Sequence, residues 1–252
     1  MLTNIRYILL TALRDWLFIG LLAGILLATG VSATLGGTAF IEEREMTLAF
    51  ASGSARIILI VGLIVFVCFY VRSAFDTKEI DVVLSRPISR RSLILSYWLG
   101  FFVVSCLLVV AVAAIIGMIG VQNTMGYLGW TLSLILEGAL VVSLALFSAF
   151  TMRSAVTAVL ASMGFYVLSR MMELFVLTAE SGMVRGHGYD VLAQLLSLIS
   201  MVVPRLDLFT KSEWLIYGFD ANQDWMVFIA QTLIYVPIVL LATMADFRRR
   251  QF

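Results

Sequence analysis

Apolar residues run almost unbroken through six stretches of this chain, and polar residues gather between them. The first segment has a different pattern. Leu2, Ile5, Ile8, Leu9, Ala12, Leu13 and Trp16 recur at three- and four-residue spacing, with Thr3, Asn4, Tyr7, Thr11, Arg14 and Asp15 on the opposite arc. That spacing predicts an amphipathic helix over 2–15, lying in a membrane interface with its cations toward headgroups. Crossing about 30 Å of hydrocarbon takes about 20 apolar residues. Spans are therefore predicted at 16–40, 57–75, 93–120, 128–150, 154–177 and 225–245. The second is short between Arg56 and Arg72, whose long side chains are expected to snorkel to the two interfaces. The last carries Pro237 and is expected to kink there. The predicted fold is an all-α polytopic membrane protein, a single transmembrane domain over 1–252.

Residues 178–224 separate the last two spans. They open on a glycine-rich turn, "AESGMVRGHGYD", where Asp190 is placed to cap a following helix. "VLAQLLSLISMVV" is apolar but too short to cross, and Pro204 stops it. It reads as a re-entrant or interfacial helix. Trp214, Tyr217 and Trp225 then supply the aromatic anchors of a membrane interface.

Composition supports the same class. Of 252 residues, 62% are hydrophobic and 13% charged, against about 25% charged in a soluble domain. So much apolar surface exceeds what one core can hide, and most of it must face lipid. The net charge of +1 gives no reason to expect nucleic acid as a partner. Charge placement is more informative. Eleven of the seventeen cations fall in the N-terminal helix, the loop between the second and third spans counted from Arg72 to Arg91, the turn at Arg153 and the C-terminus. Cation-rich loops stay cytoplasmic, so both termini and that loop are assigned to the cytoplasm. The N-terminal segment, lacking a small-residue cleavage site, is expected to be retained.

Enzymatic motifs are missing. The chain has no G-x-x-x-x-G-K-[ST] phosphate loop, no G-x-S-x-G elbow and no H-E-x-x-H pair. His187 is the single histidine and reads as a loop residue. "EERE", Glu42 to Glu45, reads as a solvated loop, lacking the following arginine and neighbouring histidines that intramembrane proteases with paired glutamates require. Cys68 and Cys106 sit in apolar runs without disulfide or metal spacing and read as packing residues. The twelve methionines lack a copper-binding cluster, so no catalytic residue, metal or bound cofactor is expected. Two ionisable residues stand out at membrane depth, Glu137 in the fourth span and Arg170 in the fifth. Each is costly there unless it meets a partner or a wet cavity. They are candidates to fasten two helices together, to line a transport path, or, with Glu137 protonated, to face a neighbouring backbone. An intramembrane enzyme built on this pair is the remotest reading.

Eight of the chain's 33 charged residues lie between Arg72 and Arg91. Pro87 fixes its own backbone and biases Arg86 away from the helical region. A short helix over about 76–84 should end before it, and Ser89 should cap the helix that becomes the third span. Mixed charge in this loop suits a protein surface better than a lipid surface, which would favour cations alone. "LSRPISRRSLILSYWLG", Leu84 to Gly100, resembles the signature of the type-2 ABC transporter permease family. The amphipathic first helix, six spans and a proline-bearing segment before the last span, "VVPRLDLF", resemble that family's layout too. The resemblance implies the membrane subunit of an ATP-driven exporter in a bacterial plasma (inner) membrane. Residues 76–91 would be its coupling helix, with Glu79, Asp81, Arg86, Pro87, Ser89, Arg90 and Arg91 contacting a separate ATPase. Two ATPase copies, holding ATP and Mg²⁺, would pair with this permease and a second identical or sister copy. An ABC-type assembly complex, for example one serving metalloenzyme maturation without releasing a free solute, is the alternative it allows.

Overall fold

The computed structural model describes residues 2–14, 16–36, 43–80, 89–120, 123–172, 174, 203–209, 211–218 and 225–249. These residues are helical almost throughout and contain no strand. Helix α1 is Leu2–Arg14, α2 is Trp16–Gly36, α3 is Glu43–Asp76, α4 is Arg90–Gly120 and α5 is Thr124–Thr151. After α6, Ala155–Arg170, come a 3-10 turn at Leu206–Leu208, the short α7 at Glu213–Tyr217, and α8 at Trp225–Arg249. Four of these, α3, α4, α5 and α8, are long and apolar enough to cross a membrane. Shorter apolar helices occupy Phe18–Ser32 in α2 and Ala155–Arg170 in α6. Large apolar side chains such as Leu27, Val110, Leu233, Ile238 and Leu241 point outward, a surface that water does not tolerate and lipid does. The chain is a helical membrane protein.

Helix α5 is the most enclosed of the four long helices and α8 the least. Around α5 pack α3, α4, α6, α7 and α8, while α2 lies along α3 and α1 along α4. The amphipathic pattern of α1 has a definite seat. Ile8 and Ala12 are buried, and a Cβ added at Gly100 of α4 would come within 2.9 Å of Ile8 Cδ1. Tyr7 and Leu10 remain exposed on the other arc.

Helix α3 differs from the expectation in length. It starts at Glu43, well before 57, so Arg56 lies within the helix, and its charge acts on Tyr166 and Arg170 of α6. Arg72 does sit near the other end, donating to Met152 O (3.4 Å) and Asp76 Oδ1 (3.4 Å). Helix α6 ends at Arg170 with a turn at Met171, beyond which Met172 and Leu174 are again helical; residues 175–177 of the predicted span lie outside the described residues. Helix α8 runs on through Pro237. Residues 191–202 of the predicted re-entrant helix, like His187 and Asp190, lie outside the described residues. Segment 203–218 does pack against the bundle: Ser52 Oγ of α3 donates to Ser212 Oγ (2.9 Å), and Gly126 of α5 lies directly under the Trp214 carbonyl.

Gly126 therefore has no room for a side chain, since the obstructing atom is backbone and cannot rotate away. Gly126→Ala is expected to destabilise the fold by about 1–3 kcal/mol through overpacking. Gly30→Ala, with open space around it, should be neutral or slightly stabilising because alanine favours helix. Thermal unfolding of the two variants in one detergent checks the contrast, and equal melting temperatures would refute the packing assigned to Gly126.

Candidate functional site

Two regions concentrate polar chemistry. The first is the charged end, where α3 leaves the apolar layer and α4 enters it. Helix α3 ends through Thr77, whose N–H and Oγ1–H both donate to Ser73 O at 2.9 and 2.8 Å. Lys78 follows at φ 58°, the left-handed conformation that ends helices and that glycine usually fills. Glu79 is then exposed while Ile80 is fully buried, which anchors the outgoing chain. Helix α4 restarts at Arg90, and Ser89 Oγ accepts from the Ser92 N–H (3.2 Å). That bond satisfies one of the four amides a helix start leaves open.

Of the seven residues singled out in this loop, Glu79, Ser89 and Arg91 are exposed. Arg90 is half-buried and engaged inside the chain. Its Nη1 donates to Phe247 O (3.0 Å), and its guanidinium lies over the Phe247 ring at 5.6 Å. The start of α4 is thereby tied to the end of α8. Asp81, Arg86 and Pro87 lie outside the described residues.

The second region is buried within the bundle. Glu137 has no exposed surface, although it sits midway along the apolar α5. Tyr166 Oη of α6 donates to Glu137 Oε1 (2.9 Å). Arg170, one turn further along α6, donates from Nη1 to the carbonyls of Leu206 and, at 2.8 Å, Phe209. Glu137 and Arg170 are thus neighbours in one electrostatic group, with Tyr166 bonding the carboxylate and Arg170 holding the 203–209 segment. Arg56 of α3 acts on both Tyr166 and Arg170. Asp207 completes the group, paired with Arg205 at 2.8 Å and only 2% exposed at its side chain. Charge-assisted bonds of this kind are strong where water is excluded. Three separate segments (α5, α6 and 203–209) are fastened by them, with Arg56 of α3 in electrostatic reach.

Sequence reasoning singled out Glu137 and Arg170 and missed Arg56, Tyr166 and Asp207. The signal was spacing. Trp130, Ser133 and Glu137 recur at i, i+3 and i+7 on α5, and Ser162, Tyr166 and Ser169 at i, i+4 and i+7 on α6. All six are buried, so these helices carry polar stripes on their inner faces. Ser52 and Arg56 are likewise one turn apart on α3. A separate groove of about 530 Å³ between α4, α5 and α8 is wholly apolar, lined by Trp98, Phe102, Leu136 and Pro237 among others.

The chain matches no protein-family model and no curated protein.

Arg170→Met keeps the unbranched apolar stem and removes both bonds to the 203–209 segment. It is expected to cost about 3–5 kcal/mol, as when one member of a buried charged group is removed. Tyr166→Phe, which deletes one hydrogen bond to a carboxylate, is expected to cost about 1.5–3 kcal/mol. Thermal unfolding gives the order. Amine labelling of Lys211, half-buried in the 211–218 segment, should rise in Arg170→Met. Melting and labelling unchanged from wild type would remove Arg170 from this role.

Proposed function

We propose that this chain is the membrane-spanning permease subunit of an ATP-driven ABC transporter of exporter type, coupled to a separate ATPase through residues 76–91. The observation that carries the reading is the "LSRPISR" run, set between two long apolar helices and leading into a helix that Ser89 caps at Arg90. In this reading α2, α3, α4, α5, α6 and α8 are six crossings, and α1 is the interfacial helix. Both termini and the loop face the cytoplasm of a bacterium, at its inner membrane. The contact between Arg90 and Phe247 supports that arrangement, because it brings the end of α8, with Arg248, to the loop end of the bundle. ATP and Mg²⁺ are bound by the partner chain. Two ATPases engage this subunit and a second permease copy, identical or sister.

The same geometry gives the loop leverage. Ile80 anchors one side of it in the core, and Arg90 anchors the other to α8. A push from an ATPase closing on ATP would therefore reach α3, α4 and α8 together, biasing the bundle between two packings. Arg90 serves this inner fastening and Glu79 lines a pocket against α1, which leaves Ser89 and Arg91 as the described residues open to a partner. Asp81, Arg86 and Pro87 complete the proposed contact.

Affinity purification from native membranes in mild detergent tests the partner, comparing wild type with an Arg86→Glu/Arg91→Glu variant that leaves Arg90 in place. A P-loop ATPase retained by wild type and lost by a variant of unchanged melting temperature is the expected result. A well-folded wild type that retains no ATPase would remove the reading's main support. Topology has its own test, because Lys78 and Lys211 are the chain's two lysines. An impermeant amine reagent should label Lys211 in intact spheroplasts and Lys78 only after permeabilisation. The reverse pattern would overturn the assigned orientation.

A further inference from the structure

We infer that the angle between α1 and the end of α3 is a binding site for a phospholipid headgroup that carries a primary ammonium on a phosphate. Two contiguous pockets lie there, of about 290 and 440 Å³, and they share Tyr7 and Thr11. The first is closed by Tyr70, Ser73 and Glu79, with Phe66 and Phe69 completing its wall. The second opens past Leu10 to Arg14. Four aromatic rings and one carboxylate make a cation-binding wall, because ring faces and the acid both attract positive charge. At the far end of the shared space stands a single guanidinium, the side chain suited to a phosphate oxygen. A ligand filling both pockets must carry its cation and its anion a few ångströms apart.

Both terminal charges are uncommitted among the described residues: the ion pairs there are Arg72–Asp76 and Arg205–Asp207, and neither Glu79 nor Arg14 takes part. Both side chains are exposed. The aromatic wall is rigid, since Phe66 and Tyr70 pack edge-on or tilted against each other and against Phe101 at 5.3–5.9 Å. Tyr70 also lies against Thr11 and within electrostatic reach of Tyr7 and Glu79, so α1 and α3 share one polar surface. The wall distinguishes ammonium types. Besides the rings it offers a carboxylate and the hydroxyls of Thr11 and Ser73, which suit three N–H donors better than three methyl groups.

Position identifies the source as lipid. The site lies where an amphipathic helix meets the charged end of the apolar layer, with Leu10 and Trp16 exposed beside it. That is the level at which headgroups sit and acyl chains begin. The inference depends on the membrane setting alone and involves no ATPase, so its failure and that of the transporter reading are separable.

The test is native mass spectrometry of the purified full chain in detergent with an equimolar mixture of dioleoyl phosphatidylethanolamine, phosphatidylcholine and phosphatidylglycerol. Wild type should hold phosphatidylethanolamine about tenfold over the other two, the ratio that one well-made charge-assisted contact supports. Glu79→Gln should abolish the preference over phosphatidylcholine without a change in melting temperature, and Glu79→Asp should restore part of it. Arg14→Gln should weaken phosphatidylethanolamine and phosphatidylcholine adducts alike. Equal retention of the three lipids by wild type, dominance of phosphatidylglycerol, or a preference that survives in Glu79→Gln would each overturn the site.

Discussion

A carboxylate with no exposed surface, set midway along an apolar helix, constrains much of this fold. Hydrocarbon offers Glu137 no water, so its oxygens must be satisfied by the protein. Tyr166 supplies one donor, which fixes the rotation of α6 against α5. Arg170 then emerges one turn further along, where it reaches the Leu206 and Phe209 carbonyls. The position of segment 203–209 follows from that bond.

The other end of the bundle is held by different chemistry. Tyr70, Tyr97, Phe101, Phe150 and Phe247 form a chain of mostly edge-to-face contacts with centroids 5.2–6.4 Å apart. Such pairs add about 0.5–1.5 kcal/mol each beyond their burial. The chain runs from α3 through α4 and α5 to α8, and Arg90 closes it by lying over Phe247. The helices flanking the charged loop are thus joined to each other and to α8 before any partner is considered. On the permease reading, this aromatic layer is what would make a local push on residues 76–91 a movement of whole helices.

Legibility in the sequence followed how local each determinant is. The amphipathic face of α1, the Ser89 cap and the apolar runs of α4, α5 and α8 are written in consecutive residues. Sequence periodicity and capping chemistry therefore found them. The reach of α3 back to Glu43 was not legible, because counting charges marks where an apolar window begins and not where a helix does. Arg170 was singled out as a charge in an apolar run, but its bonds run to carbonyls, which no sequence pattern marks. Tyr166 passed unnoticed because a tyrosine in an apolar run is unremarkable until Glu137 is placed opposite. Glu79 lay in plain view in the loop, yet the pocket it closes needs Tyr7 and Thr11 from a helix some seventy residues earlier.

Charge arithmetic explains why a 3-10 turn belongs beside this cluster. Among the described residues, this cluster brings together three cations, Arg56, Arg170 and Arg205, and two acids, Glu137 and Asp207. A third carboxylate would balance the count but would add its own desolvation cost, several kcal/mol at such depth. Backbone carbonyls at the end of a helical turn carry partial negative charge and are already part of the chain. Leu206 O and Phe209 O therefore serve as Arg170's acceptors without burying another ion. Methionine at 170 would leave the same carbonyls short of donors, because both bonds leave the one Nη1 of Arg170, whose two N–H groups serve the two carbonyls.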